Sequence, residues 1–576
     1  MNLLPQPRFV DLGEQLAPHR IVEISLDPSL PAQGYTIAID SEGASITGAD
    51  DDGIFYAHAT LGQLAKAHGG RLPVGTIRDH PDLAVRGVML DASRGKVPTL
   101  ETLFEVVERL ASWKINHFQL YIEHTFAHRN HQEVSAGASP YSAADIKALD
   151  NHCAAHHVEL VANRGCLGHM ERWLSHDRYQ HLRLQAQTPA SDEQPLEQPA
   201  QDMGVVGPPM TLDINQAESV ELIEELLNEL LPLLRSRKVH VGLDEAPELA
   251  DRIDDYFEWL KTIQEFDVIR SDGYEVLIWG DMVADHPDRL GELGPGVTVC
   301  DWGYDLDHPF DARAEALHSA GITFMTAAGT SSWLSIGGRV ANAIGNCRSA
   351  ISAAIEHDGR GFLVADWGDK GHLQQLPISD PGLAYAAAAS WCLATSTDVE
   401  LGPALSLHAY DDPSCGLANA VLSLGEVYRA VDVAVPNTSA VVRHLYFPDE
   451  PVGSSPTEGL TVTGLNKARV LVDQARVALG TVRPGTNNHR RTLDELRWTA
   501  DLIELMIDDA TARITATPGE DQPKGSLEAV DATTRSHLAQ RMEALIESHE
   551  HLWLDRNRPG GLNESRSYLK AVLNSY

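Results

Sequence analysis

The chain has little cysteine and no long apolar run. Only 6 of its 576 residues are cysteines, and no two of them form a CxxC pair, so neither a disulfide framework nor a cysteine-ligated metal site is predicted. No uninterrupted apolar run reaches the roughly 18 residues that a membrane-spanning helix needs. The amino terminus lacks a basic segment followed by an apolar core, so no secretory signal is predicted. These absences favour a cytoplasmic protein with reduced thiols.

Basic residues are scarce relative to acidic ones. The chain carries 45 lysines and arginines against 82 aspartates and glutamates, a formal net charge of -37. A nucleic acid partner is not expected, because binding a polyanion requires a cationic surface, and an anionic membrane face is disfavoured for the same reason. The excess of acid is interpreted as solvated surface that promotes solubility.

The length of the chain and its apolar patterns predict three domains, because one hydrophobic core rarely organises so many residues. Residues 1–83 are expected to form a small α+β domain, with Pro73 and Pro81 bracketing a linker that leads out of it. Residues 84–401 are expected to form a barrel. Residues 402–576 are expected to form a helical domain that packs on the barrel or on another subunit, which leaves a homodimer open.

Between Arg86 and Leu393, short apolar runs alternate with helical patterns, which is typical of parallel strands joined by crossover helices. Eight such runs predict a closed (β/α)8 TIM barrel. The runs are Gly87–Leu90, His117–Ile122, Glu159–Ala162, Val239–Leu243, Glu275–Trp279, Val297–Trp302, Ile322–Thr326 and Gly361–Ala365. Residues 185–209 have no periodicity and are interpreted as a long loop on the strand-to-helix side.

Two adjacent acids, Asp244 and Glu245, end the fourth apolar run. Barrel enzymes expose their ionisable groups at the carboxyl ends of strands, and acids with perturbed proton affinity cluster at active sites. Side chains alternate along a strand, so His240, Gly242 and Asp244 are expected to face one side. The Asp-Glu dipeptide also occurs elsewhere in the chain as ordinary surface, but only this copy ends a strand-like run. A catalytic role is therefore predicted for Asp244 and Glu245, called the acid pair below.

Aromatic side chains follow several other runs. Four of the 10 tryptophans lie at predicted strand ends. They are Trp279, Trp302, Trp333 and Trp367. Aromatic faces next to carboxylates and an arginine suit a sugar ring, whose CH faces stack while its hydroxyls take directed hydrogen bonds. The predicted cavity is therefore a sugar site, and small glycans or glycosides are the expected partners.

Three histidines after the second run suggest a metal site instead. His124 and His128 have the i and i+4 spacing that chelates a metal on a helix, and His131 follows them. The segment has the pattern of a loop, and Arg129 would lie beside the ion. No metal and no cofactor are therefore predicted, with a metal-dependent barrel hydrolase kept as a lower-ranked alternative.

Three sequence elements carry a family resemblance. They are Arg86 to Arg94 opening the barrel, Leu167-Gly168-His169 after the third strand, and His240 to Glu245 after the fourth. Together with the small leading domain, they resemble glycoside hydrolase family 20, the β-N-acetylhexosaminidases. The segments Gly329–Trp333, Asp366–His372 and Trp553–Leu562 resemble a divergent bacterial branch of it. The resemblance implies a retaining, exo-acting enzyme that hydrolyses terminal N-acetylglucosamine or N-acetylgalactosamine from small glycans by substrate-assisted catalysis.

The resemblance also implies roles for particular residues. Glu245 would be the general acid/base, and Asp244 would orient and polarise the 2-acetamido group of the substrate. Arg94 would hold ring hydroxyls, Asp369 would bind the hydroxyls at carbons 4 and 6, and His169 would support the acid pair. The walls around the terminal sugar would be Trp279, Trp302 and Trp367, with Trp333 beside them.

The chain departs from the family pattern in three places. Glu123-His124 stands where an aspartate usually follows the second strand, the third strand lacks the usual acid and proline, and no Tyr-x-Asp follows the seventh strand. In the family that tyrosine holds the acetamido oxygen, and Tyr304 is the predicted substitute. Two alternatives therefore stay open: a glycosidase for a non-acetamido or modified sugar, and a carbohydrate-binding barrel without catalysis.

Overall fold

The computed structural model describes residues 2–185, 211–249, 251–397, 399–516 and 525–576. The aperiodic segment predicted as a long loop, residues 185–209, lies outside the described residues except for Gln185. Within the described ranges, no helix combines the length and the apolar character needed to span a membrane.

A five-stranded sheet and one helix form the small leading domain. The strands are β1 (Phe9–Pro18), β2 (Ile21–Leu26), β3 (Tyr35–Asp40), β4 (Gly43–Gly48) and β5 (Arg71–Asp79), in the order β1-β5-β3-β4-β2. The helix α1 (Asp51–Ala67) begins where the Asp50 side chain accepts a hydrogen bond from the Gly53 N–H. Its buried face, which includes Tyr56 and Leu61, packs with Ile37 and Ile77 of the sheet.

The predicted linker between Pro73 and Pro81 is wrong for most of its length, because residues 71–79 form β5, an interior strand of the sheet. Proline cannot donate to a strand ladder and normally argues against a central strand. Pro73 pairs with Leu16 next to a shift of register between Leu12 and Leu16 in β1, and such an irregularity tolerates the missing donor.

Eight parallel strands close into a barrel, so the predicted TIM barrel is confirmed. The strands are β6 (Val85–Asp91), β7 (His117–Ile122), β8 (Glu159–Arg164), β9 (Lys238–His240), β10 (Glu275–Trp279), β11 (Val297–Trp302), β12 (Phe324–Gly329) and β13 (Gly361–Asp366). Each predicted run overlaps one strand. The strands are apolar and buried along almost their full length, as expected when helices cover the outer face of a parallel sheet.

Helices surround the barrel and form its outer layer. The longest described ones are α2 (Leu100–Ser112), α3 (Ala143–Ala155), Ala217–Leu230, Ile253–Glu265, Phe310–Ser319, Val340–Glu356 and Asp380–Trp391. Thr99 caps α2 by accepting a hydrogen bond from the Thr102 N–H, and the apolar stripe that includes Leu103, Val107 and Leu110 is buried against the strands.

The fourth strand is shorter than its apolar run. β9 ends at His240, and Gly242, Leu243 and Glu245 take left-handed backbone conformations with φ of +71°, +67° and +48°. The expected strand alternation from His240 through Asp244 is therefore wrong, since the chain has already turned. Apolar composition cannot separate a strand from a buried turn, and Leu243 is fully buried in either case.

The remaining helices form a carboxyl-terminal helical domain that packs on the barrel of the same chain. Its long members are Val462–Leu479, Asn487–Ala516, Ala532–Arg556 and Leu562–Ser575. At the contact, the backbone carbonyl of Arg556 accepts hydrogen bonds from the Thr99 N–H and the Thr102 hydroxyl at the start of α2. The Arg556 guanidinium is held by Glu495, with both side chains buried. Fully desolvated ion pairs of this kind fix geometry, because either charge left alone would be costly.

Candidate active site

A cavity of about 560 Å³ lies at the carboxyl ends of the barrel strands. All ten side chains predicted from the sequence line it. They are Arg94, His169, Asp244, Glu245, Trp279, Trp302, Tyr304, Trp333, Trp367 and Asp369. The cavity falls within the size range of small-molecule sites, and it lies where a TIM barrel assembles functional groups from separate strands.

The acid pair converges on one histidine. Nε2 of His169 lies 3.3 Å from Oδ2 of Asp244 and 3.1 Å from Oε2 of Glu245. Burial alone would lower the pKa of His169, but the two carboxylates outweigh it and raise that pKa well above its usual value. Burial raises the pKa of Asp244, yet the adjoining His169 lowers it overall. Asp244 is therefore held as a carboxylate beside an imidazolium.

The two acids differ in their access to solvent. The Asp244 side chain is 9% exposed and the Glu245 side chain 24% exposed. The chain turns in left-handed conformations at Gly242 and Leu243, and both carboxyls line the same cavity. A Cβ at Gly242 would lie 3.2 Å from both Asp244 Oδ1 and Gly165 Cα, which together with its positive φ favours glycine there.

Asp281 belongs to the site, although it was absent from the predicted residues. Its Oδ2 accepts a hydrogen bond of 2.9 Å from the Glu245 backbone N–H, and its Oδ1 accepts one of 3.1 Å from Nε1 of Trp302. Burial, followed by the charge of Asp244, raises the pKa of Asp281 to about 7. Its position just after β10 was the available sequence signal, but nothing in the sequence shows that it binds the Glu245 backbone.

Arg94 is clamped between carboxylates and aromatic rings. Its Nη2 lies 3.1 Å from Oε1 of Glu123, and its guanidinium carbon lies 4.9 Å from the ring centroids of both Tyr121 and Trp367. Nη1 makes no hydrogen bond within the described part of the chain, and Asp91 Oδ2 is 3.6 Å from it. This buried N–H donor is available to a ligand hydroxyl.

The aromatic residues form a continuous wall. The rings of Trp302 and Tyr304 stack at 5.1 Å, and Trp333 meets Tyr304 edge-on at 5.2 Å. Trp367 lies 6.2 Å from Trp279 and donates a hydrogen bond of 2.8 Å from Nε1 to the Tyr304 hydroxyl. Such a wall presents flat apolar faces to a sugar ring.

The hydroxyl of Tyr304 is left as a donor. It accepts from Trp367, so its own proton is free to point elsewhere. Burial raises the pKa of Tyr304 well above its usual value, and the nearby Asp244 and Glu245 charges act in the same direction. The group is therefore a neutral phenol over the whole working pH range.

Asp369 lies on a strained loop. The run Asp369 to His372 has four consecutive left-handed residues, with φ of +22°, +37°, +82° and +50°. The preceding segment is anchored by Asp91, which accepts a hydrogen bond of 2.9 Å from the Gly368 N–H. Burial raises the pKa of Asp369 to about 6, although Arg94 opposes this. Strain of this kind persists where surrounding contacts hold a functional group in place.

The helical domain completes the cavity. Asn437, Glu564 and Tyr568 line it from that side, and the carboxylate of Glu564 forms an ion pair with Arg172 of the barrel. A Cβ at Gly371 would lie 2.6 Å from the Tyr568 ring, so the helix Leu562–Ser575 closes tightly on the Asp369 loop. Sequence reasoning missed these residues because the contacts join distant parts of the chain.

The histidines considered for a metal lie beside the cavity in a loop. His131 Nε2 is 3.4 Å from Glu225 and His128 Nδ1 is 3.8 Å from Glu229, but these pairs do not converge into one ligand set within the described residues. His169 and the acid pair do bring three ligand atoms within 4.8 Å of one another. Their mutual ion pairing already accounts for that approach.

Comparison with known proteins identifies related sequences and folds. The model described as "Glycosyl hydrolase family 20, domain 2" matches residues 10–80, and the one described as "Glycosyl hydrolase family 20, catalytic domain" matches residues 84–337. A lacto-N-biosidase from Bifidobacterium bifidum is 24% identical over 248 residues, which cover 42% of this chain and 20% of that protein. A beta-hexosaminidase from Akkermansia muciniphila is 23% identical over 276 residues, covering 43% of this chain and 52% of that protein.

Solved structures share the fold. The family 20 β-N-acetylhexosaminidase from Streptomyces coelicolor A3(2) superposes with a TM-score of 0.55 at 19% identity, covering 71% of this chain and 95% of that one. At that identity the likeness shows the fold alone, and the aligned part of this chain spans about half or less of the two curated relatives. The two family models together match more than half of the chain, in the order of the leading domain and the barrel. The chain belongs to glycosyl hydrolase family 20.

Proposed function

We propose that this protein is an exo-acting, retaining β-N-acetylhexosaminidase that removes terminal N-acetylglucosamine or N-acetylgalactosamine from small glycans. The observation that carries the proposal is the convergence of Asp244 and Glu245 on His169 inside an aromatic-walled cavity. Family membership supports glycoside hydrolysis as the class of reaction.

The adjacent carboxyls favour a mechanism in which the substrate assists. Most retaining glycosidases place a nucleophile and an acid about 5 Å apart on opposite sides of the bond, and family 20 is an exception. Here the acetamido oxygen of the substrate would form the new bond to the anomeric carbon. The bond to the leaving oxygen breaks, and Glu245 transfers its proton to that oxygen. The product of this step is a cyclic oxazolinium.

The second step reverses the proton transfer. Water would attack the anomeric carbon, Glu245 would take the proton from that water, and the bond to the acetamido oxygen would break with net retention. Glu245 suits both transfers, because its side chain is the more exposed of the acid pair and solvent can reach it.

Asp244 would stabilise the charge that develops on the acetamido group. As the ring closes, the acetamido nitrogen becomes positive, and a fixed carboxylate beside its N–H lowers the barrier. The His169 imidazolium keeps the pKa of Asp244 below its usual value despite burial, so the carboxylate is present at neutral pH. Tyr304, a neutral phenol with a free proton, would donate to the acetamido oxygen in place of the tyrosine missing after the seventh strand.

Contacts around Asp369 support the exo mode. Asp369, the proposed partner of the hydroxyls at carbons 4 and 6, lies in the loop that the Tyr568 ring packs against. The ion pair between Arg172 and Glu564 joins the two sides at the same rim. A sugar attached through carbon 4 would meet these residues, which supports action on terminal sugars.

A rate panel tests the proposal. Aryl β-glycosides of N-acetylglucosamine and N-acetylgalactosamine should be hydrolysed, while the matched glucoside and galactoside without the acetamido group should not. Glu245→Gln should lose on the order of 10² to 10⁴ in kcat, with the exposed Glu547→Gln as a control that keeps full activity. Equal rates with and without the acetamido group would indicate another sugar, and binding without turnover by the wild type would indicate a carbohydrate-binding barrel.

A further inference from the structure

Two histidines and a glutamate meet on the outside of the barrel. His152 and His156 lie four residues apart at the end of α3, and Glu108 projects from the neighbouring helix α2. One ligand atom from each lies within 4.8 Å of the others. None of the three lines the sugar cavity, so this group is unrelated to the acid pair.

Both imidazole rings present the nitrogen that a metal needs. Nδ1 of His156 lies 2.9 Å from the backbone carbonyl of His152 and donates to it, which leaves Nε2 as a lone pair. Nε2 of His152 is buried and makes no hydrogen bond within the described part of the chain. Metal-ligating histidines ordinarily donate their second nitrogen to a carbonyl or carboxylate in this way.

The spacing suits a tetrahedral ion. Two ligand atoms about 2.1 Å from a tetrahedral zinc lie about 3.4 Å apart. Nε2 of His152 and Oε1 of Glu108 are 3.4 Å apart, and the two imidazole centroids are 4.4 Å apart. The His152 ring is also fixed by stacking on Phe104 at 4.1 Å, so the position of this ring is set before any ion arrives.

We propose that Glu108, His152 and His156 form a binding site for Zn²⁺ that joins α2 to α3. Two imidazoles and a carboxylate are a ligand set that zinc uses, with the fourth position taken by water. The bound ion stabilises the folded chain, because the three ligands converge only when the two helices are packed together.

The test is a titration of the full chain, stripped with EDTA, by ZnCl₂ in a calorimeter. The variant His152→Gln with His156→Gln should bind one Zn²⁺ fewer than the wild type, and the exposed His551→Gln should bind the same number. Glu108→Gln should weaken that site at least tenfold. Zn²⁺ should raise the Tm of the wild type and of His551→Gln by more than that of the double variant.

Inhibition of hydrolysis distinguishes zinc bound at the acid pair from zinc bound by Glu108, His152 and His156. Ions bound by His169 and the acid pair would block hydrolysis, and that inhibition should be equal in the wild type and the double variant. Unchanged hydrolysis without zinc shows that the double variant folds. Equal stoichiometry and equal affinity in the wild type and the double variant would overturn the proposal.

Discussion

His169 and Asp244 hold each other in their charged forms, with Nε2 of the ring 3.3 Å from Oδ2 of the carboxylate. Both groups are buried, which by itself favours the neutral forms, yet the pKa of His169 is raised and that of Asp244 is lowered. The mutual attraction therefore outweighs desolvation. The cation on His169 keeps Asp244 in the carboxylate form that the proposed contact with an acetamido group requires.

The pH dependence of the Tm should reveal the ion pair between His169 and Asp244. A lowered carboxyl pKa contributes stability that is present above the unfolded value, about 4, and is lost as pH falls through the folded value. A raised histidine pKa contributes stability that is fully present below about 6.5 and is lost as pH rises through the folded value. His169→Gln should therefore lower the Tm most between roughly pH 4 and 6.5. A difference in Tm between wild type and variant that does not change with pH would contradict the pairing.

Asp281→Asn should reduce kcat with little change in KM. Asp281 accepts hydrogen bonds from the Glu245 N–H and from Trp302, and an asparagine can accept only one of them through its single oxygen. A buried donor left unpaired costs about 1 to 3 kcal/mol, so a loss of roughly tenfold or more is expected. Steady-state kinetics check this, and a pure KM effect would show that Asp281 serves binding instead of positioning Glu245.

Tyr304→Phe should discriminate between substrates. Loss of the phenol removes the proposed donor to the acetamido oxygen and should lower kcat/KM on N-acetylhexosaminides by about tenfold. Trp367→Phe keeps the phenol but removes the indole N–H that donates to it, together with part of the aromatic wall. A wild-type rate for Tyr304→Phe would exclude it as the acetamido donor.

Substrate affinity should weaken in acid because of Asp369. Burial raises the pKa of its carboxyl to about 6, so below that pH the group becomes neutral and accepts hydroxyl hydrogen bonds less strongly. KM should therefore rise as pH falls through about 6, and the inflection should vanish in Asp369→Asn. An inflection that remains in that variant would have to come from another group.

Local sequence patterns predicted most of the fold. The features that were missed depend on contacts between residues far apart in the chain. Each of the eight barrel strands is marked by an apolar run within its own residues, as in His117 to Ile122. The fold class could therefore be predicted from local sequence alone. β5 was missed because Pro73 argues against an interior strand. The proline is tolerated there because the partner strand β1 has an irregular register beside it. Leu243 was misplaced because burial makes a turn as apolar as a strand.

The same limit applies to the site. Residues that end strands, such as Glu245 and Trp302, could be proposed from position and a family resemblance. Asp281 contributes through a backbone hydrogen bond, and Tyr568 through the docking of a helix from another domain. Neither relationship has a signature in the neighbouring sequence.

Arg94 and Tyr568 line one cavity although hundreds of residues separate them in the chain. A correctly formed barrel would therefore still lack part of its sugar chamber until the helix Leu562–Ser575 has docked. Loss of this docking should accordingly remove activity even while the barrel strands stay folded. Activity should therefore depend on the contact between two domains of one chain, as it depends on subunit assembly in enzymes whose sites lie between subunits.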